Sequence, residues 1–315
     1  MIPLLAVESV GSPALWAGFL GFVVLMLAVD LGLFHRDAHE VSLKEAGLWS
    51  AVWVALSLVF AAGVWWLFGP ERGLEFTTGY LIEKALSVDN IFVFVVIFGA
   101  FAIPARYQHR VLFWGILGAL AMRAAFIFAG TALLEHFHWT IYVFGGFLLV
   151  TGVKLLFSKT ESSHPEQNMV VRFAQRVIPV TSGLHGGRFF VRDAGKVMAT
   201  PLFLALVAVE TTDVIFAVDS IPAIFAVTRD PFIVFTSNIF AILGLRSLYF
   251  LFAGIVERFR YLKVGLALVL IFVGAKMVAV DVYEIPMGIS LGVVALLIGG
   301  SVLLSLRATA QTKLR

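Results

Sequence analysis

Residues 80–92 read Tyr-Leu-Ile-Glu-Lys-Ala-Leu-Ser-Val-Asp-Asn-Ile-Phe, and residues 209–222 read Val-Glu-Thr-Thr-Asp-Val-Ile-Phe-Ala-Val-Asp-Ser-Ile-Pro. Slid over one another, they match Glu83 with Asp213 and Val88-Asp89-Asn90-Ile91 with Val218-Asp219-Ser220-Ile221. Each keeps an acid followed six positions later by a second acid. Further on, Arg123 and Arg246 each stand shortly before an Ala-Gly pair, Ala129-Gly130 and Ala253-Gly254. The chain therefore carries an internal repeat, built around acids in apolar surroundings.

The whole chain shares those surroundings: 315 residues, 60% hydrophobic and 14% charged, with a mean hydropathy of +0.98. A soluble globular chain carries about 25% charge and about 45–50% apolar residues. The displacement on both axes excludes a soluble enzyme, a nucleic-acid-binding domain and a disordered scaffold. With no cysteine in the sequence, a disulfide framework, a thiol redox site and thiolate metal ligands are excluded as well.

A membrane-spanning helix needs about 20 mostly apolar residues. Nine segments meet that need, roughly 13–34, 48–68, 77–103, 111–134, 139–157, 199–228, 232–254, 264–280 and 286–306. The fold class is thus an all-α polytopic membrane protein of about nine transmembrane helices. Its expected organisation is helices 1 and 2 in 1–68, a first repeat of helices 3 to 5 in 69–157 and a loop at 158–198. A second repeat of helices 6 to 8 follows in 199–280, then a last helix and tail in 281–315. The first span starts too far in, and is too bulky, for a cleaved signal peptide, so none is expected.

Lys and Arg set the orientation of such a chain. The alternate loops 35–47, 104–110, 158–198 and 255–263 and the tail 307–315 hold sixteen of the 23 basic residues. The opposite connections hold only Arg72 and Arg229. The asymmetry predicts an outside N-terminus and a cytoplasmic C-terminus, and it accounts for the pI of 9.2 without nucleic acid. It also runs the third and sixth spans in opposite directions, so the repeat has inverted topology, the signature of alternating-access transporters with a site near the midplane. In the long loop, Met169, Val170, Phe173, Ala174 and Val177 share a helical face opposite Arg172, Gln175 and Arg176, which predicts a basic amphipathic helix on the inner leaflet. Weak alternation over 188–200 around Asp193-Ala194-Gly195 predicts a small hairpin.

Six carboxylates fall inside the spans: Asp30, Glu83, Asp89, Glu210, Asp213 and Asp219. Each costs roughly 2.5–3.5 kcal/mol at a helix centre, so together they approach about 15–20 kcal/mol if uncompensated. They must face one another, basic partners, water or a bound cation. Lys84, Arg123, Arg246 and Lys276 are the bases at that depth, and six acids against four bases leave a negative excess that suits a divalent cation. At 100° per residue Glu83, Ser87 and Asn90 share a stripe, as do Glu210, Asp213 and Ser220. Asp89 and Asp219 point about 120° away from their matched acids, so a single cluster needs a local break or a third helix filling the wedge; Pro222 favours a break beside Asp219, and no proline does so beside Asp89. Asn238 either lends a carbonyl oxygen to a cation or joins helices by hydrogen bonding. Asp30, near the inner end of its span, is either a site acid or a residue wetted at the interface. Arg123 and Arg246 read as counter-ions that hold the empty site together.

Carboxylate, amide and hydroxyl oxygens are hard ligands suited to Mg²⁺, Ca²⁺ and Mn²⁺. The seven histidines lie in loops or at span edges, which argues against a Zn²⁺, Cu⁺ or Ni²⁺ path. The residues alone do not separate manganese from calcium or magnesium. No nucleophile–base pair or phosphate-cradling loop is recognised, so no enzyme activity is expected.

The string Glu83-Lys-Ala-Leu-Ser-Val-Asp-Asn-Ile-Phe-Val-Phe94 resembles the first signature of the TerC family of integral membrane proteins. Ala199-Thr-Pro-Leu-Phe, Ala217-Val-Asp-Ser-Ile-Pro-Ala-Ile-Phe-Ala and Thr236-Ser-Asn-Ile-Phe-Ala-Ile-Leu-Gly-Leu-Arg-Ser-Leu-Tyr-Phe resemble the second. Asp30-Leu-Gly-Leu-Phe-His-Arg with Glu40-Val-Ser-Leu-Lys-Glu matches too, so the resemblance covers nearly the whole chain. The family, named for tellurium resistance and including Alx-type proteins, is similar to the lysine-exporter superfamily in its inverted repeats. The resemblance implies manganese efflux across a bacterial inner membrane, with Glu83, Asp89, Asn90, Glu210, Asp213, Asp219 and Asn238 as candidate metal ligands. Asp30, Ser87, Ser220, Arg123 and Arg246 stand as accessory residues or counter-ions.

The expected function is therefore alternating-access export of Mn²⁺ or a similar hard cation, carried as substrate with no permanently bound cofactor. Two alternatives stay open: an amino-acid exporter of the same superfamily, and a non-transporting membrane assembly or scaffold protein. The expected partners are a divalent metal ion and membrane lipids, not nucleic acid. The oligomeric state is not fixed by the sequence.

Overall fold

Apolar runs of this length give the backbone no water to bond, so each must close its hydrogen bonds within itself as a helix. The computed structural model describes residues 9–34, 42–137, 139–157, 171, 173, 176–181, 183–193, 196–253, 261–283 and 285–312. Among them are ten helices. The first five are α1 (Pro13–Phe34), α2 (Leu43–Phe68), α3 (Pro70–Ala100), α4 (Ala105–His136) and α5 (Thr140–Phe157). The others are α6 (Pro201–Phe225), α7 (Pro231–Leu243), α8 (Leu245–Phe252), α9 (Leu262–Val278) and α10 (Met287–Thr312). Six helical stretches are long and apolar enough to cross a membrane, one of them being α7 and α8 taken together. The other expected spans fall on α1, whose apolar run is Pro13–Val29, on the charge-bearing α3 and on the 17-residue α9.

Helix starts follow local chemistry. Pro70, Pro201 and Pro231 open α3, α6 and α7, where the missing N–H costs nothing. Asp230 caps α7 by accepting from the Phe232 and Ile233 amides at 2.9 and 3.3 Å. The break expected beside Asp219 does not form, because α6 continues through Pro222 to Phe225. A discontinuity sits instead at Gly244, between α7 and α8, where no proline marks it. There the Lys84 ammonium donates to the Ala241 carbonyl at 3.2 Å, occupying the negative end of α7. A side chain at 244 would place its Cβ 2.8 Å from the Lys84 Nζ and 3.2 Å from the Trp53 Cβ, so it would push the ammonium aside.

The packing carries the symmetry of the repeat. Helix α3 packs on α7 as α6 packs on α4, and α3 also packs on α6. The α3–α6 crossing is antiparallel: the Thr228 hydroxyl donates to Glu75 at 2.9 Å at one level, and Gly79 faces Ile224 one turn further on. Helices α5 and α9 are antiparallel too, in backbone contact at two glycine positions. A Cβ on Gly145 would lie 3.0 Å from the Gly274 carbonyl oxygen, and one on Gly152 would lie 2.9 Å from that of Ala267. Matching Gly145 with Ala267 and Gly152 with Gly274 turns the first contact into the second, as a two-fold relation between inverted repeats requires. Outside the repeats, α1 and α2 clamp the bundle through Phe19, Phe60, Phe76 and Phe240, with Phe60 and Phe240 ring centres 4.8 Å apart.

The hairpin expected in the long loop forms from β1 (Phe190–Asp193) and β2 (Lys196–Ala199), paired antiparallel with Phe190 opposite Ala199. The surface helix expected over 169–177 falls largely outside the described residues. Of its positions, Val171 is buried while Phe173 and Val177 are exposed.

Candidate functional site

Buried charge at the crossing of α3, α4, α6 and α7 has one arginine at its centre. Arg123 of α4 is 1% exposed, as is Glu83 of α3, and Asp213 of α6 is 3% exposed. One Arg123 terminal nitrogen donates to Glu83 Oε1 and to Asn238 Oδ1 at 3.2 Å, with Ser220 Oγ at 3.5 Å. The other donates to Asp213 Oδ1 at 3.3 Å. One guanidinium thus serves two carboxyl groups, and all three are held away from water. Such an arrangement is costly unless hydrogen bonds satisfy the remaining polar atoms. Here they are left over: Glu83 Oε2, Asp213 Oδ2, Asn238 Nδ2 and Ser87 Oγ are buried with no partner among the described residues.

Beside Arg123 lies a cavity of about 100 Å³. Glu83 and Asn90 of α3, Arg123 of α4, Thr151 of α5 and Ser220 of α6 line it, and Phe216 and Leu270 supply apolar wall. Its donors are one carboxylate, one amide and two hydroxyls, a hard set of the kind that binds Mg²⁺, Ca²⁺ or Mn²⁺.

The expected residues do not all converge. Glu83, Asn90, Asp213, Ser220 and Asn238 gather with Arg123, drawn from both repeats. Ser87 is buried on the same stripe of α3 but does not line the cavity. Glu210 makes no hydrogen bond to Arg123 among the described residues and does not line the cavity; it is within electrostatic range of Asp213 and seated against Gly118 of α4, whose missing side chain makes room for the carboxylate. Arg246 is buried on α8, beyond the Gly244 break. The side chains of Asp30, Asp89 and Asp219 lie outside the described residues. No group of three or more His, Asp or Glu poised to hold a metal occurs among the described residues; the two acids that meet are joined through Arg123. Thr151 was not anticipated: a threonine in a span carries no charge anomaly to flag it.

A second polar cluster lies at the end of the bundle where α3 begins and α7 is capped. Arg72 donates at 2.8 Å to the same Glu75 oxygen, Oε2, that accepts from Thr228, and a cavity of about 380 Å³ there is lined by Glu71, Glu75, Arg229 and Lys276 among others. Burial pushes the Glu75 carboxyl above the ordinary 4.5, against the hydrogen bonds from Arg72 and Thr228, with Glu71 adding a smaller push. The folded protein therefore holds this proton to higher pH than the unfolded chain does. The resulting stability is complete below the ordinary value and lost as pH rises through the raised one. Glu75→Gln has no such dependence. Its melting temperature relative to wild type is expected to climb as pH rises above the ordinary 4.5; a gap that stays constant as pH rises contradicts this.

The site and fold define a polytopic membrane protein whose inverted repeats enclose a buried, acid-rich ionic centre. The chain belongs to the integral membrane protein TerC family, whose model matches residues 68–313. It is 64% identical over 298 residues to an uncharacterized membrane protein of Myxococcus xanthus, covering 95% of this chain and 93% of that one. Two relatives bear the name of a proposed membrane-bound redox modulator, Alx. The one from Photorhabdus laumondii is 52% identical over 297 residues, covering 91% of this chain and 93% of the relative. The one from Escherichia coli K12 is 51% identical over 296 residues, covering 91% and 92%. No solved structure matches the chain.

Proposed function

We propose that this protein is a secondary transporter of a bacterial inner membrane that exports a hard divalent cation, manganese first among the candidates, by alternating access. The observation that carries this reading is the buried Glu83–Arg123–Asp213 trio, formed where the antiparallel helices α3 and α6 cross, with one guanidinium shared by two carboxyl groups. In the empty carrier Arg123 is the resident cation. An arriving dication competes with it for Glu83 and leaves Arg123 to Asp213. The positive-inside rule supports a C-terminus in the cytoplasm, and export is the direction that the resemblance implies.

An amino-acid exporter needs a guanidinium free to meet the substrate carboxylate, whereas Arg123 is 1% exposed and committed to two acids. The name carried by the Alx relatives points to redox modulation, and this chain, lacking cysteine, brings no thiol to such a role. A scaffold protein gains nothing from buried ionic groups at midplane depth. The test is uptake of radioactive manganese into inverted membrane vesicles holding the protein. Uptake above that of empty vesicles, competed by Ca²⁺ or Mg²⁺ but not by lysine, is expected; competition by lysine alone overturns the reading.

A further inference from the structure

We infer that Thr151 of α5 is a cation ligand and sets the specificity of the central site, an inference that rests on the transport reading above. Five span threonines, Thr77, Thr78, Thr211, Thr212 and Thr236, turn their hydroxyls back on carbonyl oxygens three or four residues earlier. That is the ordinary fate of threonine in an apolar helix. Thr131 and Thr151 make no such bond among the described residues. Thr131 is buried, whereas Thr151 lines the central cavity that Glu83 also lines. Its counterpart in the second repeat, by the match of Gly152 with Gly274, is Val273, which is buried and apolar. The oxygen therefore belongs to one repeat alone.

The cavity of about 100 Å³ admits an ion that has shed most of its water, since each water occupies roughly 30 Å³ of liquid. An ion seated there is bound by Glu83, Asn90, Ser220 and Thr151: a single carboxylate and three neutral oxygens. Octahedral, oxygen-rich coordination with a few retained waters suits a small hard dication. With one charged ligand, each neutral oxygen has a large share in binding and in choosing among ions.

The test exploits the cysteine-free sequence. Thr151→Val keeps the shape and removes the oxygen, and Thr151→Ser keeps the oxygen. Thr151→Cys installs the protein's sole thiol, a soft ligand. The apparent KM for Mn²⁺ in vesicles is expected to rise about tenfold in Thr151→Val, equivalent to about 1.4 kcal/mol, and to stay within about twofold in Thr151→Ser. Thr151→Cys is expected to gain at least about tenfold in Cd²⁺ affinity, read as inhibition of Mn²⁺ flux, and to be shielded by Mn²⁺ from a thiol-reactive maleimide. A merely structural threonine moves neither cadmium inhibition nor shielding. If Thr151→Val keeps the wild-type KM and Thr151→Cys is insensitive to Cd²⁺ while Glu83→Gln abolishes flux, Thr151 is no ligand and the transport reading stands. If the wild-type protein moves no Mn²⁺, both fall.

Discussion

Arg123→Met is expected to lower the stability of the purified protein by about 3–5 kcal/mol at low divalent-ion concentration, the usual consequence of removing one partner from a buried ionic group. Methionine fills much of the space, but Glu83 and Asp213 then face one another with no cation between them. One of them must take a proton or the helices must part. The variant is also expected to regain stability in millimolar Mn²⁺ more steeply than wild type, because the metal no longer competes with a tethered guanidinium. Thermal denaturation in detergent, with and without Mn²⁺, reads both effects. Arg123→Lys is expected to recover only part of the loss, since an ammonium is a point charge and cannot reach Glu83, Asp213 and Asn238 with a planar fork. An Arg123→Met protein as stable as wild type without metal means that the trio is not the ionic centre described here.

The second large effect is on flux. Glu83→Gln removes the carboxylate that both holds Arg123 and lines the cavity, while leaving Arg123 paired with Asp213. Folding is expected to be nearly preserved and Mn²⁺ transport to fall at least about a hundredfold, about 2.7 kcal/mol of lost binding or barrier-lowering. Glu210→Gln supplies the contrast. Sequence reasoning ranks Glu210 with Glu83, but its carboxylate sits against Gly118, away from the cavity. Its replacement is expected to reduce flux by less than about fivefold. Vesicle uptake measured on both variants decides it, and equal losses contradict the geometry.

What the sequence made legible was whatever depends on periodicity or charge. The repeat was readable because Glu83 and Asp213 hold matched places in matched apolar strings, and its inversion because loop arginines and lysines alternate. The role of Arg123 followed from counting acids against bases. Three features were hidden. Helical spacing places Glu210 on the stripe of Asp213, yet which neighbour it meets depends on a glycine far away, at 118 in α4. The break at Gly244 carries no proline, and Pro222, which does announce a break, sits in a helix that runs on. Thr151 is neutral, so nothing in composition separates it from threonines that merely bond their own helix.

The most direct measurement is the position of manganese itself, located by anomalous scattering in crystals grown with Mn²⁺. The expected result is a peak in the cavity bounded by Glu83, Asn90, Thr151 and Ser220, with Arg123 drawn off Glu83 and retained by Asp213. A protein saturated with Mn²⁺ that shows no peak there, and keeps the Glu83–Arg123 pair intact, contradicts a cation site at the crossing of the two repeats.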